Sequence, residues 1–248
     1  MIPVFIGWDP REAIAADVCR FSLLRRSSVP LHVQYLRQPA LREIGLYRRE
    51  WELRDGQRID RIDGRPFSTE FAFTRFLVPA LCQFEGWALF VDGDFLFLAD
   101  VAELLALRDQ HYAAMVCQQV HVPLAHAKMD GCSQHAYARK NWSSLMLLNC
   151  GHEATRRLTP GAVNAEPGAW LHGLRWLPDR LIGSLPPQWN WIDGVTPGEP
   201  KAVHYTAGGP WFAGHEAVRF AGEWCWHRNE LARQRAGDAR PDALARAA

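Results

Sequence analysis

Residues 89–100 read LFVDGDFLFLAD, and two aspartates, Asp92 and Asp94, stand one residue apart between the apolar runs 89–91 and 95–98. Two like charges at the end of so hydrophobic a segment repel one another, and desolvation makes the repulsion worse. A turn in which both carboxylates bond nearby backbone amides would resolve the conflict. So would a divalent cation, because hard cations favour carboxylate oxygens. Position favours the cation. WALFV, residues 87–91, is predicted as a buried strand ending at Asp92, and ligands of open α/β sheets sit at the carboxyl ends of strands. Gly93 between the two carboxylates and the second apolar run behind them favour the cation as well, and Gly93 counts with them among the candidate cofactor-binding residues.

The surrounding sequence supplies the rest of such a sheet. PVFIG opens the chain as a short strand, and Asp9-Pro10-Arg11-Glu12 reads as a capped helix start. LHVQYL (31–36), AAMVCQQV (113–120) and SSLMLLN (143–149) are further strand candidates. STEFAFTRFLVPAL (68–81) carries a helical pattern that Pro79 should shorten, and VAELLAL (101–107) is a second helix. The charged stretch 37–65 reads as exposed loop with one short helix. From Pro186 onward the chain reads as Trp-, Pro- and Gly-rich loops packed on the sheet. Alternating strands and helices predict one Rossmann-like α/β domain over 1–230, its sheet mostly parallel and flanked by helices. A partly disordered tail is expected over 231–248.

Composition narrows the partners. A formal net charge of +1 gives no global field for nucleic acid or an acidic membrane, so an anionic ligand needs a local site. No apolar run approaches the ~18 residues that a membrane span needs. The opening MIPVFIGW has no basic n-region. Six cysteines without a C-x-x-C fit a reducing compartment, and the expectation is a cytoplasmic protein. No Walker-type glycine loop is present, which argues against a P-loop ATPase or kinase.

A second stretch, KAVHYTAGGPWF (201–212), bears on the same site. By itself His204 reads as a hydrogen-bonded core histidine. Paired with the acidic stretch it becomes a candidate third metal ligand beside Asp92 and Asp94. Gly208 and Gly209, ahead of Trp211, would let backbone amides approach phosphate oxygens.

With these motifs on one chain, LFVDGDFLFLADVAEL followed downstream by HYTAGGPW resembles the retaining glycosyltransferases of family eight, the glycogenin and bacterial galactosyltransferase group with a GT-A fold. TRFLVP, KMDGCSQHAYARKNWSSLMLLNC, LPPQWNW and HYTAGGPW together resemble more closely an uncharacterised bacterial glycosyltransferase-like family. The resemblance runs from about Val4 to Phe212. It implies a nucleotide-sugar donor, most often UDP-linked, with Mn²⁺ or Mg²⁺ held by Asp92, Asp94 and His204. It implies a glycan, glycolipid or protein acceptor, and transfer with retention. Arg75 matches the family arginine that faces the donor, and Gly7, Trp8 and Asp9 match the nucleoside pocket. Asp179 lies where the family carries an acidic residue near the transferred sugar. The chain departs from the family pattern at Ala207 and Gly209, where a glycine and a diphosphate-binding lysine are usual.

Breaking a sugar–diphosphate bond builds negative charge on the leaving group, which positive groups can share. Arg75, Lys128, Arg139 and Lys140 are available for this. Lys128, Gln134, Tyr137, Asn141 and Ser143 are candidates to meet the sugars, and Trp189, Asn190 and Trp191 could build a sugar-facing wall. Arg75, Asn141 and Asp179 form the expected catalytic set. The rival readings are a zinc protein using His121, His126, Cys132 and His135, a nucleotide-sugar-binding module without transferase activity, and a nucleotide-sugar hydrolase or nucleotidyltransferase on a similar sheet.

Overall fold

The structure is a computed structural model, and it describes residues 1–119 and 139–238. The chain opens with β1 (Ile2–Gly7), a 3-10 turn at Pro10–Glu12 and α1 (Ala13–Arg26), followed by β2 (Leu31–Leu36) and α2 (Gln38–Glu43). Three short strands come next: β3 (Trp51–Arg54), β4 (Gln57–Asp60) and β5 (Pro66–Phe67). A 3-10 turn at Thr74–Leu77 runs into α3 (Val78–Leu81), which precedes β6 (Trp87–Val91), β7 (Phe95–Phe97), α4 (Val101–Leu105) and β8 (Ala114–Val116). Beyond residue 138 come β9 (Leu145–Asn149), α5 (Pro160–Ala165), α6 (Gly168–His172), β10 (Ile182–Ser184), β11 (Ala202–His204) and α7 (Ala221–Asp238).

Six strands form the main sheet in the order β10-β8-β9-β6-β1-β2. The pairs β1–β2, β1–β6 and β8–β10 are parallel, whereas β9 runs antiparallel to both β6 and β8. All strands but β9 therefore end at one edge, and Asp92 leaves β6 at that edge. Side chains alternate across β6. Ala88 and Phe90 join one core with Phe5, Phe76 and Trp176, while Leu89 and Val91 join another with Val4, Ile6 and Leu104. Both faces are covered, which explains why WALFV reads as a continuous apolar run rather than an alternating one.

A separate antiparallel ribbon pairs β7 with β11, with Phe95 opposite His204. This pairing brings the histidine of a distant segment beside the acidic turn.

Several expectations need correction. The charged stretch 37–65 holds the short helix α2, but β3 and β4 also lie within it and form an antiparallel sheet with β5 just beyond its end. Its charges are not all solvated. Arg49 forms a fully buried two-bond pair with Asp60, at 2.7 and 2.6 Å, and donates to the Val163 and Glu166 carbonyls. A bidentate guanidinium whose remaining donors are satisfied can sit in a core. The helix expected over 68–81 shrinks to a 3-10 turn and one α-turn carrying Pro79. Residues 231–238 are not tail but the end of α7, where Arg235 pairs with Asp17 of α1 at 2.8 Å. Among the described residues, no helix is long and apolar enough to cross a membrane.

Gly93 is where the acidic turn meets the rest of the fold. A Cβ there would lie 2.5 Å from the Gly7 carbonyl oxygen and 3.2 Å from the Ala16 Cβ. Neither neighbour is a flexible side-chain end. Gly93→Ala is expected to cost ~1–3 kcal/mol by overpacking, read as a lower urea midpoint; a midpoint equal to that of the unsubstituted chain would show that the turn has slack.

Candidate metal centre at the sheet edge

The centre begins with Asp92. Its backbone N–H donates to the Ser144 carbonyl at 2.8 Å, which ties the end of β6 to the turn before β9. Its carboxylate lies 2.7 Å from Arg75 Nη1 and is buried with it. Burial pushes the Asp92 carboxyl up to about 6 and the Asp94 charge adds to the rise, while Arg75, His204 and a Ser144 hydrogen bond pull it back. The group thus sits on the edge of protonation.

Asp94 and His204 complete the arrangement. Asp92, Asp94 and His204 each offer a ligand atom, and these atoms lie within 4.8 Å of one another. Among the described residues, no other such group of three forms. His204 Nε2 is 3.5 Å from Asp94 Oδ1. The Tyr205 N–H donates to the Asp94 carbonyl at 3.0 Å, and the His204 N–H to the Trp191 carbonyl at 2.8 Å. The His204 ring stacks on Phe95, with centroids 4.4 Å apart and planes 16° from parallel. Its Nδ1 is 2.8 Å from Asn190 Oδ1, and Asn190 Nδ2 donates to the Asn141 carbonyl at 3.0 Å. Two carboxylates and one imidazole nitrogen make a donor set that could hold a divalent metal ion. A buried Asp92 that resists ionising has a physical reason to accept such an ion.

The other expected site residues divide. Arg75 reaches the centre as an ion pair with Asp92, while its Nε and Nη1 donate to the carbonyls of Phe71, Ala72 and Ser143. Ser143 also places its hydroxyl 2.9 Å from His172 Nδ1. Burial and the nearby Arg75 and Arg49 charges hold His172 down to about 3, so it is a neutral partner. Asn141 adopts a left-handed backbone with φ 64°, and its buried Nδ2 meets no hydrogen-bond partner among the described residues. Asp179 is exposed and pairs with Arg139 at 2.6 Å rather than with the metal-ligand group. Lys140 is buried next to Asn141.

In the first turn, a Phe71 ring fills the space beside Gly7. Trp8 lies half-buried under the Arg37 guanidinium, 4.2 Å from its ring centroid. Asp9 is 1% exposed, and its carboxylate accepts from the Arg11 and Glu70 backbone and from the Arg11 and Arg58 side chains. Its acceptor capacity is therefore filled within the protein, and it ties the turn together. Although burial pushes its pKa up, the Arg11 hydrogen bonds outweigh it and hold the carboxyl below its usual value.

Near the histidine, Gly208 has φ 112°, where a side chain would be strained, and its N–H donates to the Tyr205 carbonyl at 2.7 Å. The Trp211 indole occupies the space beside Gly209, so both glycines serve the turn and its packing. The residues of the expected sugar-facing wall lie inside the fold. Trp189 and Trp191 are 1% and 2% exposed in apolar clusters, and Asn190 is fully buried behind His204. Lys128, Gln134 and Tyr137 lie outside the described residues, as do His121, His126, Cys132 and His135 of the zinc reading.

Sequence reasoning missed Gln119, Ser144 and His172. Each is an isolated polar residue whose role depends on a partner far along the chain, so no local spacing marks it.

No family model matches the chain. Protein CDI of Arabidopsis thaliana is 46% identical over 228 residues, spanning 89% of this chain and 83% of its own length. The chain belongs to the Protein CDI family. A plant relative at this identity stands outside the bacterial group to which the motifs pointed. Among solved structures, this CDI-family chain is similar to the glycosyltransferase GlyE of Streptococcus pneumoniae, with a TM-score of 0.58 and 15% identity over 96% of the chain. The CDI-family chain spans 64% of that protein, less than two thirds of its length. It is also similar to the galactosyltransferase LgtC solved with donor and acceptor sugar analogs, with a TM-score of 0.57 and 11% identity over 93% of this chain and 96% of that one. At these identities the likeness is one of fold, and the fold is that of the GT-A glycosyltransferases.

Two outcomes follow for the centre. Arg75→Met strands a buried carboxylate and is expected to cost ~3–5 kcal/mol, measured by urea denaturation; a loss below ~1 kcal/mol would mean that the pair is solvated. A proton on Asp92 competes with a metal ion. Its folded pKa is raised, so the metal-free fold holds a proton that the unfolded chain has released between pH 3.8 and about 6. Bound metal displaces that proton, so calorimetric Mn²⁺ affinity should climb as pH rises through about 6. A flat profile there would contradict the assignment of Asp92 as a ligand.

Proposed function

We propose that the chain is a metal-dependent glycosyltransferase that moves a sugar from a nucleotide-sugar donor, UDP-linked, to a hydroxyl of a glycan, glycolipid or protein acceptor. The observation that carries the reading is the convergence of Asp92, Asp94 and His204 at the carboxyl edge of a GT-A sheet. Open α/β sheets bind ligands at that edge. A bound Mn²⁺ or Mg²⁺ would supply a Lewis acid to offset the negative charge of the diphosphate leaving group.

The chain's own residues then have separable tasks. Asp92 and Asp94 offer anionic oxygens, and His204 offers a ring nitrogen. Arg75, 2.7 Å away, offsets part of the Asp92 charge. Trp8, capped by Arg37 at the end of β1, presents a half-buried aromatic face on which a nucleobase can lie. Asn141 Nδ2 is a buried donor able to bond a sugar hydroxyl or phosphate oxygen. Retention is part of the proposal through the sequence resemblance to family eight. Transfer with retention needs no enzyme base opposite the leaving group, consistent with Asp179 being held by Arg139.

A second reading, a nucleotide-sugar-binding module without transfer, is favoured by one feature. Arg75 and Arg139 both commit their charge to carboxylates of the chain itself.

Calorimetry with UDP and GDP, with and without Mn²⁺, tests the donor site, and a screen for nucleotide release from UDP-, GDP- and CMP-sugars tests turnover. UDP affinity should fall at least about tenfold, ~1.4 kcal/mol, on removing Mn²⁺ or in Asp94→Asn. UDP binding indifferent to both would contradict the reading. Metal-dependent binding with no nucleotide release from any donor would favour the binding module.

A further inference from the structure

Asn190 is fully buried at the end of the 3-10 turn Pro187–Asn190, and its side chain stands between two groups of fixed character. The Asn141 carbonyl oxygen, 3.0 Å away, can only accept a hydrogen bond. The Asn190 atom facing it must therefore be the amide nitrogen. That leaves Oδ1, which can only accept, 2.8 Å from His204 Nδ1. Turning the amide over would set two acceptors, Asn190 Oδ1 and the Asn141 carbonyl oxygen, against each other at 3.0 Å in a place that solvent does not reach. His204 Nδ1 must then carry the proton. A neutral imidazole has one N–H, so Nε2 keeps its lone pair.

We propose that Asn190 is the positioning residue that fixes His204 as its Nδ1–H tautomer and so turns Nε2 into a ligand atom facing Asp94 and Asp92. The inference deepens, and rests on, the metal site of the proposed function. Metal-ligating histidines are held in this way by the partner of their second nitrogen. The bond also braces the ring. The Asn190 carbonyl accepts from Gln119 Nε2 at 2.7 Å, Gln119 Oε1 accepts from Thr196 Oγ1 at 2.8 Å, and the Gln119 carbonyl accepts from Trp142 Nε1 at 3.1 Å. His204 is thus tied to Gln119 and Asn141, which lie on either side of residues 120–138. The stacked Phe95 ring fixes the imidazole plane, and Asn190 fixes which edge of it faces the carboxylates.

The test uses the full chain without metal, ¹⁵N-labelled, at about pH 8, above the ordinary histidine pKa of about 6.5. The ring signals of His204, assigned with His204→Gln, should show a protonated Nδ1 and a bare Nε2. Asn190→Ala should convert this to a mixture or to the Nε2–H form, with the amide signals of β7 and β11 in place. Mn²⁺ titrated into Asn190→Ala should bind about 10–100-fold more weakly than into the unsubstituted chain. An Nε2–H signal in the unsubstituted chain, an unchanged tautomer in Asn190→Ala, or unchanged Mn²⁺ affinity would each overturn the inference. If Asn190→Ala does not fold, Asn190→Ser, which is too short to reach both partners, takes its place under the same criteria. If the unsubstituted chain binds no Mn²⁺, the proposed function fails, whereas the tautomer in the metal-free chain still decides the role of Asn190.

Discussion

The Asp92 carboxylate, buried at the end of the central strand with the Arg75 guanidinium 2.7 Å away, is the constraint around which this edge of the sheet is arranged. A carboxylate in that position cannot rely on water. The fold answers with a buried arginine from the turn before α3, a hydrogen bond from Ser144, and the backbone link from Asp92 to the Ser144 carbonyl. Burial still outweighs these partners, so the Asp92 carboxyl stays above its ordinary range. A second carboxylate two residues away adds to the rise. Such an arrangement costs stability as it stands and gains it when a cation arrives.

Geometry supplies the third donor from far away in sequence. The ribbon of β7 and β11 sets Phe95 opposite His204, and the Asp94 carbonyl receives the next N–H of the β11 segment. The acidic turn and the histidine are thereby parts of one hydrogen-bonded unit. Gly93 lets that unit lie against the Gly7 carbonyl and Ala16, which seats it at the carboxyl ends of β1 and β6. A chain of the Protein CDI family thus carries, on a glycosyltransferase-like fold, an edge organised around negative charge.

Much of the sheet could be read from the residues. Strand 87–91 is marked by its apolar run, 31–36 also reads as a strand, and Asp9 is marked by its capping position. The acidic pair and His204 were also legible, because like charges in an apolar segment demand an explanation. What the sequence hid depends on distant partners. The direction of β9 follows from tertiary pairing, and its five buried residues look the same in either direction. The strands inside 37–65 carry charged side chains that looked solvated until Arg49 met Asp60. Asn190 and Trp189 read as sugar contacts because amides and indoles do that work at surfaces, and their burial could not be read from the sequence. Gln119 gave no signal at all, since its bonds run to Asn190 and Thr196, more than seventy residues on.

The most direct measurement is the anomalous scattering of crystals grown with Mn²⁺ and UDP. The account expects a manganese peak bonded to carboxylate oxygens of Asp92 and Asp94 and to His204 Nε2, with diphosphate oxygens completing its shell. A map with UDP bound and no peak among these three residues, or with the metal held elsewhere, would contradict it.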